Sequence, residues 1–264
     1  MLKRFYEQLA IYLAWFLLGK GCLLWSAAAI PLRFLLPRKM RQHIGRVGIS
    51  KGFRLYLWGL EVLGVCRFDL RELDALRDAG PLIIAPNHPC LLDALMVLSR
   101  LPNTACVLKA ELIDNFFMGA GARLAGFIRN DWFVGMIRRA IAELEHGYQL
   151  LLFPEGTRSE GGRLQDFKAS TAIIACRARV PIQTVIIETD SNFLGKGWPP
   201  FKRTNLPVHF SVRLGPRFQP GDDPIRLTAE LQTYFARAMN GNASPETCAN
   251  QSLEQPQARK AVAS

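Results

Sequence analysis

The stretch LIIAPNHPCLLD, residues 82–93, decides how this chain folds. Its first four residues form an apolar run of strand length containing two β-branched isoleucines. Pro86-Asn87-His88-Pro89 then interrupts any regular element, and a helical pattern resumes at Leu91-Leu92-Asp93. A strand that feeds a helix through a short junction is the repeating unit of an α/β sheet, and such sheets carry their sites at the carboxyl ends of the strands. A continuous helix would turn Asp93 away from His88, whereas the irregular junction at Pro89 lets the two meet. Paired, Asp93 would fix the imidazole tautomer and leave the other ring nitrogen as a general base. The His-to-Asp spacing alone is a weak signal; His43, His146 and His209 lack it and read as surface or ordinary polar positions.

Outward from this unit, strand-length apolar runs recur at 105–108, 149–153, 182–187 and 208–214, between helical patterns at 91–100, 114–124, 134–145 and 170–178. The alternation predicts an α/β layered sandwich with a largely parallel central sheet, with an antiparallel return near Val208 left open. Residues 71–78 read as a charged helix or turn, 192–206 as a Gly/Pro/Lys-rich loop, and 224–239 as a closing amphipathic helix. The organisation expected is a basic, apolar membrane-associating segment at 1–54, a catalytic domain at 55–239, and a disordered tail rich in Asn, Gln, Ser and Pro at 240–264.

The 264 residues carry 33 Lys+Arg against 22 Asp+Glu, a net +11. Residues 1–54 hold ten of the bases and one acid, Glu7, so that segment supplies +9. These charges flank an apolar run at 9–32 in which Lys20 is the sole charge. Nucleic-acid binders seldom carry such a run, so the basic excess points to an anionic membrane surface and no nucleic-acid partner. The run is too long, and too basic on its far side, for a secretory signal. As one helix it would span a hydrocarbon core of about 30 Å, at a cost of about 2.5–3.5 kcal/mol for Lys20 at mid-depth. Two half-length helices bent at Gly19-Lys20-Gly21 and immersed in one leaflet would avoid that cost; a buried core helix is the remaining alternative. The basic cluster Arg38, Lys39, Arg41, Arg46, Lys51 and Arg54 places the catalytic bulk on the cytoplasmic face. Six cysteines form no CxxC pair and the histidines do not cluster with them, so reduced thiols and no metal site are expected.

A second motif, Phe153-Pro154-Glu155-Gly156-Thr157-Arg158-Ser159, ends the apolar run at 149–152. It joins a flexible glycine, backbone donors, a hydroxyl and a guanidinium suited to a phosphate. Taken alone it also reads as a bland turn with a surface arginine.

Together, and in this order, the two motifs resemble those of the lysophospholipid acyltransferase family, over roughly 81–214. Asn87, His88 and Asp93 match the family's first block, Phe153 to Ser159 its third, and Val180-Pro181-Ile182 its fourth. The resemblance implies that His88 deprotonates an acceptor hydroxyl, which attacks the thioester of acyl-CoA or acyl carrier protein, with Asp93 orienting His88. It implies no other cofactor and no acyl-enzyme, so Cys90 needs no nucleophilic role. Glu155, Gly156, Thr157 and Arg158 would form the acceptor site, Arg158 contacting phosphate. Two positions depart from the pattern. Trp132 stands where the family's second block carries a phosphate-binding arginine, and Ser170 stands where glycine is frequent. Either Arg129 substitutes from a shifted position, or the acceptor headgroup is less charged. The expectation is a membrane-associated O-acyltransferase acting on a lysophospholipid-like acceptor, by default 1-acyl-glycerol 3-phosphate. The alternatives are a non-phosphate amphiphile (an amino-acid lipid, glycolipid or polyene) and a catalytically silent membrane-binding relative.

Overall fold

A computed structural model describes residues 2–160, 163–199, 202 and 204–240. Its strands are β1 (Cys66–Asp69), β2 (Ile83–Pro86), β3 (Thr104–Leu108), β4 (Ile128–Arg129), β5 (Gln149–Leu151), β6 (Ile182–Thr189) and β7 (Val208–Phe218). Its helices are α1 (Leu2–Leu35), α2 (Arg38–Val62), α3 (Asp93–Arg100), α4 (Ala110–Asp114), α5 (Gly119–Leu124), α6 (Phe133–Glu145), α7 (Ser170–Ala178) and α8 (Pro224–Met239). One sheet runs in the order β1-β7-β6-β2-β5-β3-β4, parallel from β6 through β4. β7 returns antiparallel to β6, and β1 pairs parallel with β7.

The 82–85 run shows no polar alternation because both its faces are covered. Leu82 and Ile84 pack into a core with α2 and α3, Ile83 and Ala85 into a second core with α6, α7 and α8, and all four are fully buried. Asp223 begins α8 as its N-cap, accepting from the Ile225 and Arg226 amides at 2.8 and 3.2 Å.

The bend expected at Gly19-Lys20-Gly21 is absent, and α1 runs unbroken for 34 residues. Each glycine costs a helix about 1 kcal/mol, and neither has a neighbour that would force a kink. α1 lies antiparallel against α2: the Tyr6 hydroxyl donates to the Leu63 carbonyl, and the Arg41 guanidinium to that of Arg33. Contact with the sheet domain is made by a narrow row that includes Ala10, Ala14, Ser26 and Ala29. Trp25 wedges between Gly48 of α2 and Gly121 of α5, where any larger side chain would meet the indole. The outer face, including Phe5, Phe16, Leu24 and Phe34, is exposed. α1 is long and apolar enough to cross a membrane by length and composition.

The boundary expected after residue 54 falls inside α2. Two members of the basic cluster bond to the domain: Arg46 turns inward, correcting its reading as lipid-facing, while Arg54 stays exposed. Arg46, 3% exposed, donates to the Ala125 carbonyl and to Glu143 at 2.6 Å, and Arg54 donates twice to the Ser99 carbonyl. Both guanidiniums satisfy carbonyls at the carboxyl ends of helices, α5 and α3, where positive charge is favoured. The tail expected at 240–264 lies, beyond Asn240, outside the described residues.

Candidate active site

Where β2 ends, the Asn87 side chain takes over from the backbone ladder. Its amide donates to the Ile187 carbonyl at 2.9 Å and accepts the Ile187 N–H at 2.7 Å, so the junction is tied to β6 as the chain leaves the sheet. The turn that follows wraps around one carboxylate. Asp93, at the first position of α3 and fully buried, accepts from His88 Nδ1 at 2.7 Å, from the Cys90 amide at 2.8 Å, and from the Cys90 thiol at 3.0 Å. The His88 ring stacks on Phe153 with centroids 4.0 Å apart, which fixes its plane from below. His88 Nδ1 is thereby committed, and Nε2 has no hydrogen-bond partner among the described residues.

Burial pushes the Asp93 carboxyl above the usual carboxylate range, while the donors from His88 and Cys90 pull it back. The Cys90 thiol is raised well above its ordinary value, first by burial and then by the Asp93 charge. It is an S–H donor to Asp93 and is not poised as a nucleophile.

The second motif is strapped to the first. Glu155, expected to help shape the acceptor site, has both its oxygens engaged within the protein. They accept from the His88 amide at 3.0 Å, the Ser159 hydroxyl, and the Gln165 amide at 2.9 Å, and the side chain is 2% exposed. The Ser159 amide returns a bond to the His88 carbonyl at 2.8 Å. Glu155 therefore shapes the site by holding the two loops together. Gly156 sits at φ +67°, a conformation costly for other residues, and the Lys168 side chain lies where a Cβ would project. Thr157 is half-buried on the same turn. Arg158 Nη1 donates to the carbonyls of Leu194 and Gly195 at 2.9 and 3.1 Å, which anchors the guanidinium.

Arg129 ends β4, two strands beyond β5. Three of its donors are occupied, by Asp114 at 2.6 Å and by Asp131 at 3.1 and 2.7 Å. Two carboxylates against one guanidinium leave that spot net negative, unfavourable for a phosphate. Trp132, next to it, is exposed.

A family model described as Acyltransferase matches residues 67–188, a stretch that contains both motifs. Residues 67–188 are thus similar to an acyltransferase domain. It is 26% identical over 204 residues to human 1-acyl-sn-glycerol-3-phosphate acyltransferase beta, covering 72% of this chain and 66%, just under two thirds, of that relative. The 1-acyl-sn-glycerol-3-phosphate acyltransferase of Pseudomonas aeruginosa is 23% identical over 231 residues, covering 85% of this chain and 86% of that one. The fold matches a crystal structure of the 1-acyl-sn-glycerophosphate acyltransferase from Thermotoga maritima with a TM-score of 0.66, at 18% identity over 91% of this chain and 96% of that one.

Phe153, the first residue of the second motif, floors the His88 ring, and Lys168 covers the Gly156 turn. One side chain was passed over in the sequence: Lys109 is exposed at the carboxyl end of β3, the strand beside β5, and forms no ion pair with any described residue. A lysine directly after a predicted strand is the signal that would have singled it out.

Proposed function

We propose that the chain transfers a fatty acyl group from an acyl thioester, acyl-CoA or acyl carrier protein, to a hydroxyl of 1-acyl-glycerol 3-phosphate at the cytoplasmic face of a membrane. The observation that carries this reading is the His88–Asp93 pair with Nδ1 engaged and Nε2 free. Nε2 takes the proton of the acceptor hydroxyl as its oxygen attacks the thioester carbonyl. The tetrahedral intermediate collapses with loss of the thiolate, which takes the proton back from the imidazolium. Asp93 stabilises that imidazolium, and no covalent enzyme intermediate forms. An intact pair, with Asp93 also held by the Cys90 amide and thiol and His88 stacked on Phe153, argues against a catalytically silent relative.

A phosphomonoester carries close to two negative charges and calls for more than one cation. Arg158, Lys168 and Lys109 supply three along the carboxyl ends of β5 and β3 without Arg129, which supports the phosphate-bearing acceptor despite Trp132. α1 packs lengthwise on the domain with its apolar face outward, which supports immersion in one leaflet over a span.

The test offers purified full chain in detergent labelled acyl-CoA or acyl carrier protein and a panel of lyso-acceptors, with products identified by mass spectrometry. Phosphatidate should dominate, and Arg158→Ala should raise KM for lysophosphatidate about ten-fold, with less effect on zwitterionic acceptors. Equal transfer to uncharged acceptors would overturn the headgroup assignment, and no transfer to any acceptor would overturn the enzyme reading.

A further inference from the structure

At the β3–β4 end of the carboxyl edge, the turn after α4 and the loop that runs into the first turn of α6 hold Phe116, Phe117, Trp132, Phe133 and Val134 in solvent; Phe116 is 76% and Trp132 63% exposed. Scattered single apolar residues are ordinary on a soluble surface, but two adjacent runs brought together by the fold are not. Arg129 joins them. It bonds Asp114, which lies just before Asn115 and the phenylalanine pair, and Asp131, which lies just before Trp132. The Asn130 side chain adds a bond from the Ala110 amide at 3.2 Å, and the Asn115 side chain accepts the Phe117 amide at 2.8 Å. Both segments are thus rigidly held from below while their apolar tips stay uncovered. The Trp132 indole lies across Gly135, where a Cβ would overlap the ring, so the first turn of α6 supports the ring without burying it.

The patch is joined to α1. Ser26 Oγ donates to the Phe117 carbonyl at 2.6 Å, and Trp25 packs on Gly121 of the helix that follows.

We infer that the Phe116/Phe117 and Trp132–Val134 segments form a second insertion point into the interfacial zone of a lipid bilayer, and that Arg129 is the clasp that sets its geometry. The inference rests on the membrane reading above and deepens it. Three observations select a bilayer over a protein partner. Four of the five side chains are aromatic, the type that settles at the headgroup boundary. The patch is tied through Ser26 to α1, whose outer face is apolar and exposed. It also lies on the edge of the sheet that carries His88, where a lipid acceptor enters. A single helix lying in an interface is free to roll about its own axis; a contact away from that axis stops the roll and fixes the height of His88 above the leaflet. On this account Trp132 anchors the domain and does not read the headgroup.

The experiment uses the full chain with phosphatidylcholine vesicles, with and without phosphatidylglycerol, containing brominated acyl chains. Comparison of wild type with Trp132→Phe should isolate a lipid-quenched component of tryptophan emission. The triple variant F116S/F117S/F133S should bind vesicles about ten-fold more weakly and raise KM for bilayer-presented acceptor to match, while turnover of a short-chain acceptor dissolved below its critical micelle concentration stays unchanged. Arg129→Ala should show the same pattern. The inference is overturned if Trp132 emission is unquenched on vesicles that bind the wild type, or if Arg129→Ala selectively raises KM for the dissolved phosphate-bearing acceptor. Wild type that ignores vesicles but acylates the dissolved acceptor would overturn the inference and the membrane reading together, leaving the acyltransferase reading in place.

Discussion

His88 meets Asp93 at 2.7 Å and His209 meets Asp190 at 2.8 Å, so by residue type and distance the molecule holds the same pair twice. Their surroundings differ. Asp93 is fully buried beneath a ring that keeps only one edge toward solvent, whereas the side chains of His209 and Asp190 are 61% and 51% exposed. Asp190 also accepts the His209 amide at 3.0 Å, so this second pair closes the start of the β6–β7 ladder. At Asp190 burial raises the carboxyl, but the His209 amide and ring outweigh it and hold the group below the usual range. On the proposed mechanism it is where a dyad sits and what it excludes, and not the distance alone, that would make it catalytic.

The largest effect should come from removing the base. His88→Ala should lower kcat/KM about 10²–10⁴-fold, while His209→Ala stays within about two-fold of wild type and Cys90→Ala remains active. Initial rates of acyl transfer measure this; if His88→Ala kept more than about a tenth of the rate, the comparison would collapse, because burial would not have distinguished the two pairs.

Asp93→Asn sharpens it next. The substitution should cut activity about 10²-fold or more by weakening orientation and imidazolium stabilisation. Its effect on stability should have the opposite sign. A carboxyl raised by burial favours its neutral form in the fold, so its stabilising contribution is present below the ordinary carboxylate range and lost as pH rises through the folded value. At neutral pH the buried charge is a cost, which asparagine removes. Thermal unfolding at pH 7 should give a Tm equal to or above wild type; a marked drop in Tm would mean that Asp93 stabilises the fold by its charge.

Much of this was legible in the chain. The parallel units, the bounds of α8 and the meeting of His88 with Asp93 follow from apolar runs, a capped helix start and one proline-broken junction, all local signals. The exceptions are long-range. β1 and β4 are too short, four and two residues, to show a pattern before their partners are known. Arg46 and Arg54 read as solvated charge because nothing near them in sequence announces the Ala125 and Ser99 carbonyls they satisfy. Glu155 and Arg129 were placed at the acceptor site through the family resemblance, which does not announce their partners inside the protein, up to 67 residues away. The bend at Gly19-Lys20-Gly21 failed for a different reason: helix propensity is a weak term that context overrides, and α1 continues through both glycines and even through Pro31.

The smallest effect belongs to Asp190, and it tests the comparison from the exposed side. Its depressed carboxyl contributes stability above the ordinary value of 3.8, lost as pH falls through the folded one, so the sign is opposite to that of Asp93. Solvent screens a pair this exposed, so the contribution is small. Asp190→Asn should leave acyl transfer within about two-fold of wild type and lower Tm slightly at pH 7. The Tm difference should shrink as pH falls below 3.8 and vanish only once folded Asp190 is protonated, below its lowered value. Asp93→Asn should lose its relative advantage at higher pH, as wild-type Asp93 becomes neutral at its raised value, above 3.8. Tm curves for the two asparagine variants that converge on wild type from opposite sides in acid would establish burial as the variable separating the pairs. Curves that approach from the same side would show that the two carboxylates differ in position only.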